Sequence, residues 1–157
     1  MSATLTKPKA KKASSRQVVV SCVQDATGRA GSPSLASSKI IALVQDGLPV
    51  AELDALQECL EMPMETLATK LGISKATLHR RKTEGRLDAA ESDRVVRYAR
   101  LVGKAAQVFG GLAEARQWLN APQPGLGGAV PLDYAETEIG AREVENLLGR
   151  IEHGVYS

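Results

Sequence analysis

The sequence predicts an all-α protein, in which an N-terminal helix-turn-helix bundle is followed by a small helical C-terminal domain. Apolar residues recur at helical spacing in successive segments from about residue 38 onward. Gly and Pro residues separate these segments, as they do between helices. Aromatic residues make up only 3% of the chain, so the core must be built from Leu, Val, Ile and Ala, which suits small helices.

Three regions divide the 157 residues. Residues 1–36 are interpreted as a disordered or weakly ordered basic tail and linker, because Lys, Ser, Gly and Pro dominate them. Within this region, residues 17–24 (QVVVSCVQ) could form a short strand. Residues 37–104 are predicted to form the helix-turn-helix and dimerisation region, and residues 105–157 a second helical domain. Helices are expected over residues 38–46, 50–60, 65–71, 75–82, 90–109, 112–119 and 137–153.

Charge is unevenly distributed along a chain whose net charge is only +2. Residues 65–104 carry ten Lys or Arg against five acidic residues, a net charge of +5. Residues 105–157 carry three Arg against seven acidic residues, a net charge of −4. This contrast predicts two partners of opposite character.

A helix-turn-helix is indicated by small and turn-forming residues at fixed positions. Ala68 is the small residue at which the second helix crosses the first, and Gly72 tolerates the positive φ of a tight turn. Ser74 can cap the second helix. The apolar seam consists of Leu67, Leu71, Ile73 and Leu78. Arg81 departs from the pattern, since an aliphatic residue commonly closes the seam there, and Leu87 is expected to compensate.

The second helix of this motif is predicted to enter the major groove of DNA. Residues expected near base edges are Ser74, Lys75, Thr77 and His79. Residues expected mainly on phosphates, which position the protein without specifying sequence, are Arg80, Arg81 and Lys82. A motif that mediates only protein contact or dimerisation is an open alternative.

An enzyme, a metalloprotein and a membrane protein are each disfavoured. The acidic residues Glu136, Glu138, Glu143 and Glu145 cluster without a His, Ser or Cys constellation, and no Gly-rich phosphate loop occurs. Cys22 and Cys59 are far apart and lack metal-ligand spacing, which favours a reduced, cytoplasmic setting. No run of eighteen apolar residues exists. We therefore expect no cofactor, no metal and no membrane partner.

Further motifs are spread in order along residues 40–157. They are Gly47-Leu48-Pro49, Leu71-Gly72-Ile73-Ser74, Thr77-Leu78-His79-Arg80-Arg81-Lys82, Gly85-Arg86-Leu87, Glu91-Ser92-Asp93-Arg94, Trp118-Leu119, Pro131-Leu132, Thr137-Glu138-Ile139-Gly140 and Ile151-Glu152-His153-Gly154-Val155. On these motifs the chain resembles the Xre/MbcA/ParS antitoxins, particularly the Xre antitoxins that accompany RES-domain toxins. Residues 1–36 lie outside the resemblance.

The resemblance implies an antitoxin of a type II toxin–antitoxin system, with residues 105–157 as its toxin-binding domain. Such antitoxins repress their own operon and block their toxin. A RES-domain toxin resembles ADP-ribosyltransferases and degrades NAD⁺. The implied partners are therefore a RES-domain toxin and operator DNA. A homodimer is expected because one helix-turn-helix rarely supplies enough specificity. Its surface is left open between residues 90–109 and the helix near Ile40.

The last helix is predicted to serve both the core and the toxin. Its core residues are expected to be Val144, Leu147, Leu148 and Ile151. Its polar face and tail are expected to contact the toxin through Arg142, Glu143, Asn146, Arg150, His153 and Tyr156. Trp118 is expected to anchor the core of this domain. The alternative is a transcriptional regulator whose C-terminal domain binds a small-molecule effector.

Overall fold

The computed structural model describes residues 17–27 and 35–154, without the side chains of residues 25–27. The described helices are α1 (Gln17–Thr27), α2 (Ser37–Asp46), α3 (Val50–Leu60), α4 (Met64–Lys70), α5 (Lys75–Glu84), α6 (Ala89–Phe109), α7 (Leu112–Leu119), α8 (Pro131–Tyr134) and α9 (Glu138–Glu152). A single 3₁₀ turn, Pro124–Leu126, lies between α7 and α8. Over the described ranges the extended structure is limited to one isolated bridge between Pro49 and Arg86. The predicted all-α class is confirmed.

The long helix α6 is the centre of the fold. It packs against α1, α2, α3, α7 and α9, so most of its circumference is covered. Its start is fixed by a capping box, in which the Asp88 carboxylate accepts the Glu91 N–H and the Glu91 carboxylate accepts the Asp88 N–H. Most of its apolar side chains are buried within this one chain, whereas Val108 and Phe109 at its end are half-buried. The dimer contact that the sequence left open between α6 and the helix near Ile40 stays a prediction.

The strand predicted over residues 17–24 is wrong, because these residues belong to helix α1. Val18, Val19 and Val23 are buried, and the helix lies against α6 and α3. The carboxylate of Glu52, itself buried in α3, accepts the N–H groups of Val18 and Val19 at 2.9 Å each. Two N–H groups at the start of a helix normally lack a partner inside the helix, so this distant carboxylate stabilises the helical form.

This helix also corrects the expectation of weak order for part of residues 1–36. Residues 17–27 form a packed element of the core. The expected basic tail at residues 1–16 and the linker at residues 28–34 lie outside the described residues.

A short clasp joins the connection before α3 to the connection before α6. The Leu87 N–H donates to the Leu48 carbonyl at 2.8 Å, and the Leu48 N–H donates to Ser92 Oγ at 2.8 Å. Gly47 has φ of +89°, and a Cβ atom there would overlap the Leu87 carbonyl oxygen. Leu87 is buried beside this clasp, and its expected compensation for Arg81 in the seam stays a prediction.

Among residues 17–27 and 35–154, no helix is both long enough and apolar enough to cross a membrane.

Candidate functional site

Helices α4 and α5 and the turn between them have helix-turn-helix geometry. Gly72 adopts φ of +69°, so the turn requires the residue type that the sequence supplies. The Ile73 N–H then donates to the Ala68 carbonyl at 2.8 Å, and Ala68 is buried where the helices approach. Leu67, Leu71, Ile73 and Leu78 are all buried, as predicted for the seam.

The N-terminus of α5 is capped by Ser74. Its Oγ accepts the Thr77 N–H at 3.2 Å and donates to Thr77 Oγ1 at 2.9 Å. Both hydroxyl groups are thus oriented at the end of α5 that enters the groove in a helix-turn-helix. The cap holds Ser74 and Thr77 together beside the exposed Lys75.

The outer surface of α5 is basic and accessible. Lys75, His79 and Lys82 succeed one another at helical spacing and line one open cleft of about 360 Å³, together with Met64 from α4. Arg80 lies beside this row with a side chain that is 61% exposed, and its nearest carboxylate, Glu84, is 3.9 Å away. These four basic side chains can therefore reach a nucleic acid without first breaking a buried contact.

Arg81 differs from its neighbours, because it points into the protein. Its side chain is 16% exposed and contacts three carboxylates, those of Glu91 at 2.7 Å and of Glu84 and Asp88 at 3.1 Å each. The hydrogen bond to Glu91 is the main cause that raises the pKa of this guanidinium. The structure thus separates Arg81 from the other residues that the sequence assigned to phosphates.

Arg94 is a residue that the sequence analysis missed. From α6, its Nη1 donates to the Leu71 carbonyl at 3.0 Å, at the end of α4. A Cβ atom added at Gly72 would lie 3.2 Å from the same Nη1. Arg94 therefore braces the helix-turn-helix turn from the adjoining helix. The motif Glu91-Ser92-Asp93-Arg94 marked the position, but only the fold reveals its partner.

Helix α9 has one face in the core and one face exposed. Thr137 caps it by accepting the Gly140 N–H at 3.0 Å. Val144, Leu147 and Leu148 are buried as predicted, whereas Ile151 is only half-buried.

The residues predicted to meet the toxin are spread along the other face of α9. Arg142, Glu143 and Asn146 are exposed, and Arg150 is half-buried. Arg142 lies 3.3 Å from Glu138, one helical turn earlier. His153 is exposed directly after the helix, and Tyr156 lies outside the described residues.

Tyr98 ties the helix-turn-helix to the C-terminal elements. From α6, its buried hydroxyl donates to the Leu132 carbonyl in α8 at 2.8 Å. Burial raises the pKa of Tyr98, and the carboxylates of Glu136 and Asp133 raise it further, so the phenol remains a donor. Lys70 at the end of α4 forms an ion pair with Asp133 in the same short helix. The two regions therefore meet through α4, α6 and α8.

Trp118 lies half-buried on α7. Its ring centroid is 5.4 Å from that of Phe109, and both rings pack against the core cluster. Trp118 therefore packs against the core of this chain, as expected for an anchoring residue.

Comparison with protein families divides the chain into two matched regions. A family model described as the Antitoxin Xre-like helix-turn-helix domain matches residues 39–100. A second, described as the Antitoxin Xre/MbcA/ParS C-terminal toxin-binding domain, matches residues 104–154. An Antitoxin Xre from Yersinia enterocolitica is 35% identical over 129 residues, which cover 81% of this chain and 87% of that protein. The chain belongs to the Xre/MbcA/ParS antitoxin family.

Two further relatives extend this comparison. An Antitoxin Xre from Photorhabdus laumondii is 36% identical, again over 81% of this chain and 87% of that protein. A protein from Sphingobium sp. named "Prs ADP-ribosylating antitoxin" is 24% identical over 74% of this chain and 80% of that protein. The chain is thus an Xre-family type II antitoxin that combines a helix-turn-helix domain with a toxin-binding domain.

In this antitoxin, α6 belongs to both matched regions. The helix-turn-helix match ends at residue 100 and the toxin-binding match begins at residue 104, both within the single helix Ala89–Phe109. This antitoxin therefore joins its two domains through a continuous helix.

Proposed function

We propose that this antitoxin has two activities. It neutralises a RES-domain toxin that degrades NAD⁺, and it represses its own operon by binding operator DNA. The observation that carries this proposal is the separation of two exposed surfaces. One is the basic outer surface of α5, and the other is the polar face of α9. Each lies in the matched domain whose description fits its role.

The DNA surface is assigned as follows. Ser74, Lys75, Thr77 and His79 lie near base edges, where the N-terminal part of a recognition helix reads the major groove. Arg80 and Lys82 contact phosphates. Arg81 is assigned a positioning role instead, since its three carboxylate partners hold α5 against the start of α6.

A homodimer is part of this proposal. Two copies place two recognition helices on two half-sites and thereby raise specificity for one operator. Because operator DNA lies in the cytoplasm, the antitoxin is proposed to act there.

The toxin surface is the face of α9 that bears Arg142, Glu143, Asn146, Arg150 and His153, with Tyr156 beyond it. The net charge of −4 over residues 105–157 complements the basic cleft with which a protein binds the phosphates of NAD⁺. Neutralisation then occurs by occlusion of the toxin's substrate site.

The antitoxin itself is proposed to be non-catalytic. Burial raises the pKa of the Cys59 thiol, which keeps it protonated and makes it a poor nucleophile. Purified antitoxin incubated with NAD⁺ should therefore leave the NAD⁺ concentration unchanged.

The alternative of a small-molecule effector domain is less well supported. The cleft described on the C-terminal half, between α6 and α9, is open and lined mainly by charged side chains, among them Arg97, Glu138 and Glu145. Sites for small effectors are more often enclosed and apolar.

Co-expression with the product of the neighbouring gene, which the proposal requires to be a RES-domain toxin, tests the proposal. We expect the two proteins to co-purify, and the purified complex to bind a fragment of their shared promoter with an affinity that falls steeply with salt. Co-purification without promoter binding would mean that the proposed repression of the operon is wrong. Promoter binding without co-purification would favour the effector-domain alternative.

Point variants of α9 are better probes of the toxin surface than its deletion. Val144, Leu147 and Leu148 bury the inner face of α9, and the helix packs on α6. Removing the helix would expose the core, so loss of neutralisation would not identify the contact surface.

A further inference from the structure

The exposed face of α9 begins with a residue that is not polar. Ile139 stands three, four and seven residues before Arg142, Glu143 and Asn146, and this spacing places it on the same helix face. Its side chain is 79% exposed. A large aliphatic side chain thus begins the row that is otherwise polar.

A second apolar side chain lies at the same corner of the molecule. Tyr134, the last residue of α8, is 41% exposed. Gly140 lies so close to the Tyr134 carbonyl oxygen that a Cβ atom on Gly140 would overlap it. The backbone of Ile139, the residue before Gly140, therefore lies beside the C-terminal end of α8. Across the described residues four large hydrophobic side chains are exposed, and the other two, Val20 and Ile41, lie in α1 and α2.

Charged side chains border this corner. An open cleft of about 300 Å³ between α6 and α9 is lined by Arg97 and Arg100 on one side and by Glu138 and Arg142 on the other. A small apolar centre surrounded by charged, solvated groups is the arrangement by which protein interfaces exclude water from their anchoring residues.

The corner is also held in place from within. The Tyr98 hydroxyl donates to the Leu132 carbonyl at 2.8 Å, and Asp133 pairs with Lys70. Because these contacts hold α8 at the two residues that precede the exposed Tyr134, little conformational entropy remains to be lost when a partner binds there.

We propose that Ile139 and Tyr134 form the apolar anchor of the toxin interface and occupy an apolar pocket on the toxin. The proposal rests on the proposed function, in which the polar face of α9 contacts the toxin. It adds that the affinity is concentrated at the N-terminal end of this face, while the residues from Arg142 to His153 form the charged rim. The occupant is the toxin because the whole corner lies within the region matched to toxin-binding domains.

The test measures the affinity of full-length antitoxin variants for the proposed RES-domain toxin partner, by calorimetry or surface plasmon resonance. Ile139→Ser and Tyr134→Ser should each weaken binding by at least about 30-fold, as removal of a central anchor does. The matched control Val20→Ser removes an exposed apolar side chain in α1 and should leave the affinity unchanged. Circular dichroism and promoter binding should be retained by all three variants.

Each other outcome has a distinct meaning. If wild-type antitoxin fails to bind the toxin, the proposed function itself is wrong. If the wild type binds and Ile139→Ser binds equally well, the anchor is wrong while the function stands. If Ile139→Ser retains toxin affinity but lowers the mass of the antitoxin oligomer in light scattering, the corner joins two copies of this chain, and the proposal is overturned.

Discussion

The Nε–H of Arg81 donates to Oε1 of Glu91 at 2.7 Å and joins the recognition helix to the start of α6. Glu91 also accepts the Asp88 N–H, so one carboxylate caps α6 and holds α5. An ion pair thereby takes the place at which an aliphatic residue commonly closes the seam of this motif. Arg81 is consequently part of the scaffold that positions α5 and its proposed DNA surface.

The first prediction is that the ion pair between Arg81 and Glu91 contributes to the stability of the fold. Glu91→Ala should lower the free energy of unfolding by about 1–3 kcal/mol, because it removes a hydrogen bond to a charged group and half of the capping box. Arg81→Ala should lower the melting temperature as well, because it leaves Glu91 buried without its cation. The double variant should lose less than the two single losses combined, as a direct interaction requires.

Thermal unfolding followed by circular dichroism gives all three values. Arg80→Ala is the matched control, since it removes the adjacent, exposed arginine and should leave the melting temperature unchanged. Strict additivity in the double variant would mean that the pair contributes no coupling.

The second prediction concerns the salt dependence of operator binding. Arg80→Ala should reduce the slope of log K against log salt concentration by about one unit, because one phosphate contact is lost. The loss should be similar on different DNA sequences. Lys39→Ala, an exposed cation on α2 outside the recognition helix, is the control and should not change the slope. Fluorescence anisotropy with a labelled promoter fragment measures the slope for both variants. An unchanged slope in Arg80→Ala would mean that Arg80 does not contact a phosphate.

The third prediction compares two glycines on α9. Gly140→Ala should destabilise the protein by about 1–3 kcal/mol or more, because its Cβ atom would overlap the carbonyl oxygen of Tyr134 and force α8 and α9 apart. Gly149 lies on the same helix with no atom within 4 Å of the added Cβ. Gly149→Ala should instead stabilise the protein by about 0.5–1 kcal/mol. Denaturant unfolding checks the opposite signs, and destabilisation by both would contradict the packing described for this corner.

Much of the fold could be predicted because its signals are local. The spacing of apolar residues placed α3 and α7 at the bounds that the structure has, and Gly72 and Ser74 marked the turn and cap of α5. The exceptions depend on distant residues. Val18, Val19 and Val20 are β-branched and favour a strand locally, yet Glu52 and α6 make them helical.

The candidate site divides in the same way. Exposure of Lys75, Arg80 and Lys82 follows from their positions on one helix. The inward turn of Arg81 depends on where Glu91 and Asp88 lie in the next helix, and the brace from Arg94 depends on how α6 crosses the turn. The corner formed by Tyr134 and Ile139 requires the close approach at Gly140, which no spacing rule reveals.

The fourth prediction tests the unexpected helix α1. Glu52→Ala should lower the free energy of unfolding by about 1–3 kcal/mol, because two N–H groups in the interior lose their acceptor. Asp54→Ala, on the same helix but without such a contact, should stay within about 0.5 kcal/mol of the wild type. Urea denaturation measures the difference. Equal stabilities for the two variants would mean that Glu52 does not hold α1.

The most direct test of the central proposal is the rate at which the proposed RES-domain toxin partner consumes NAD⁺ in the presence of the antitoxin. Wild-type antitoxin and Arg80→Ala should both stop NAD⁺ loss, since the proposed DNA surface on α5 is separate from the proposed toxin surface on α9. Asn146→Arg, which places a bulky charge on the exposed face of α9, should fail to stop it at the same concentration while still binding the promoter. Continued NAD⁺ loss with the wild type, or full inhibition by Asn146→Arg, would contradict the account.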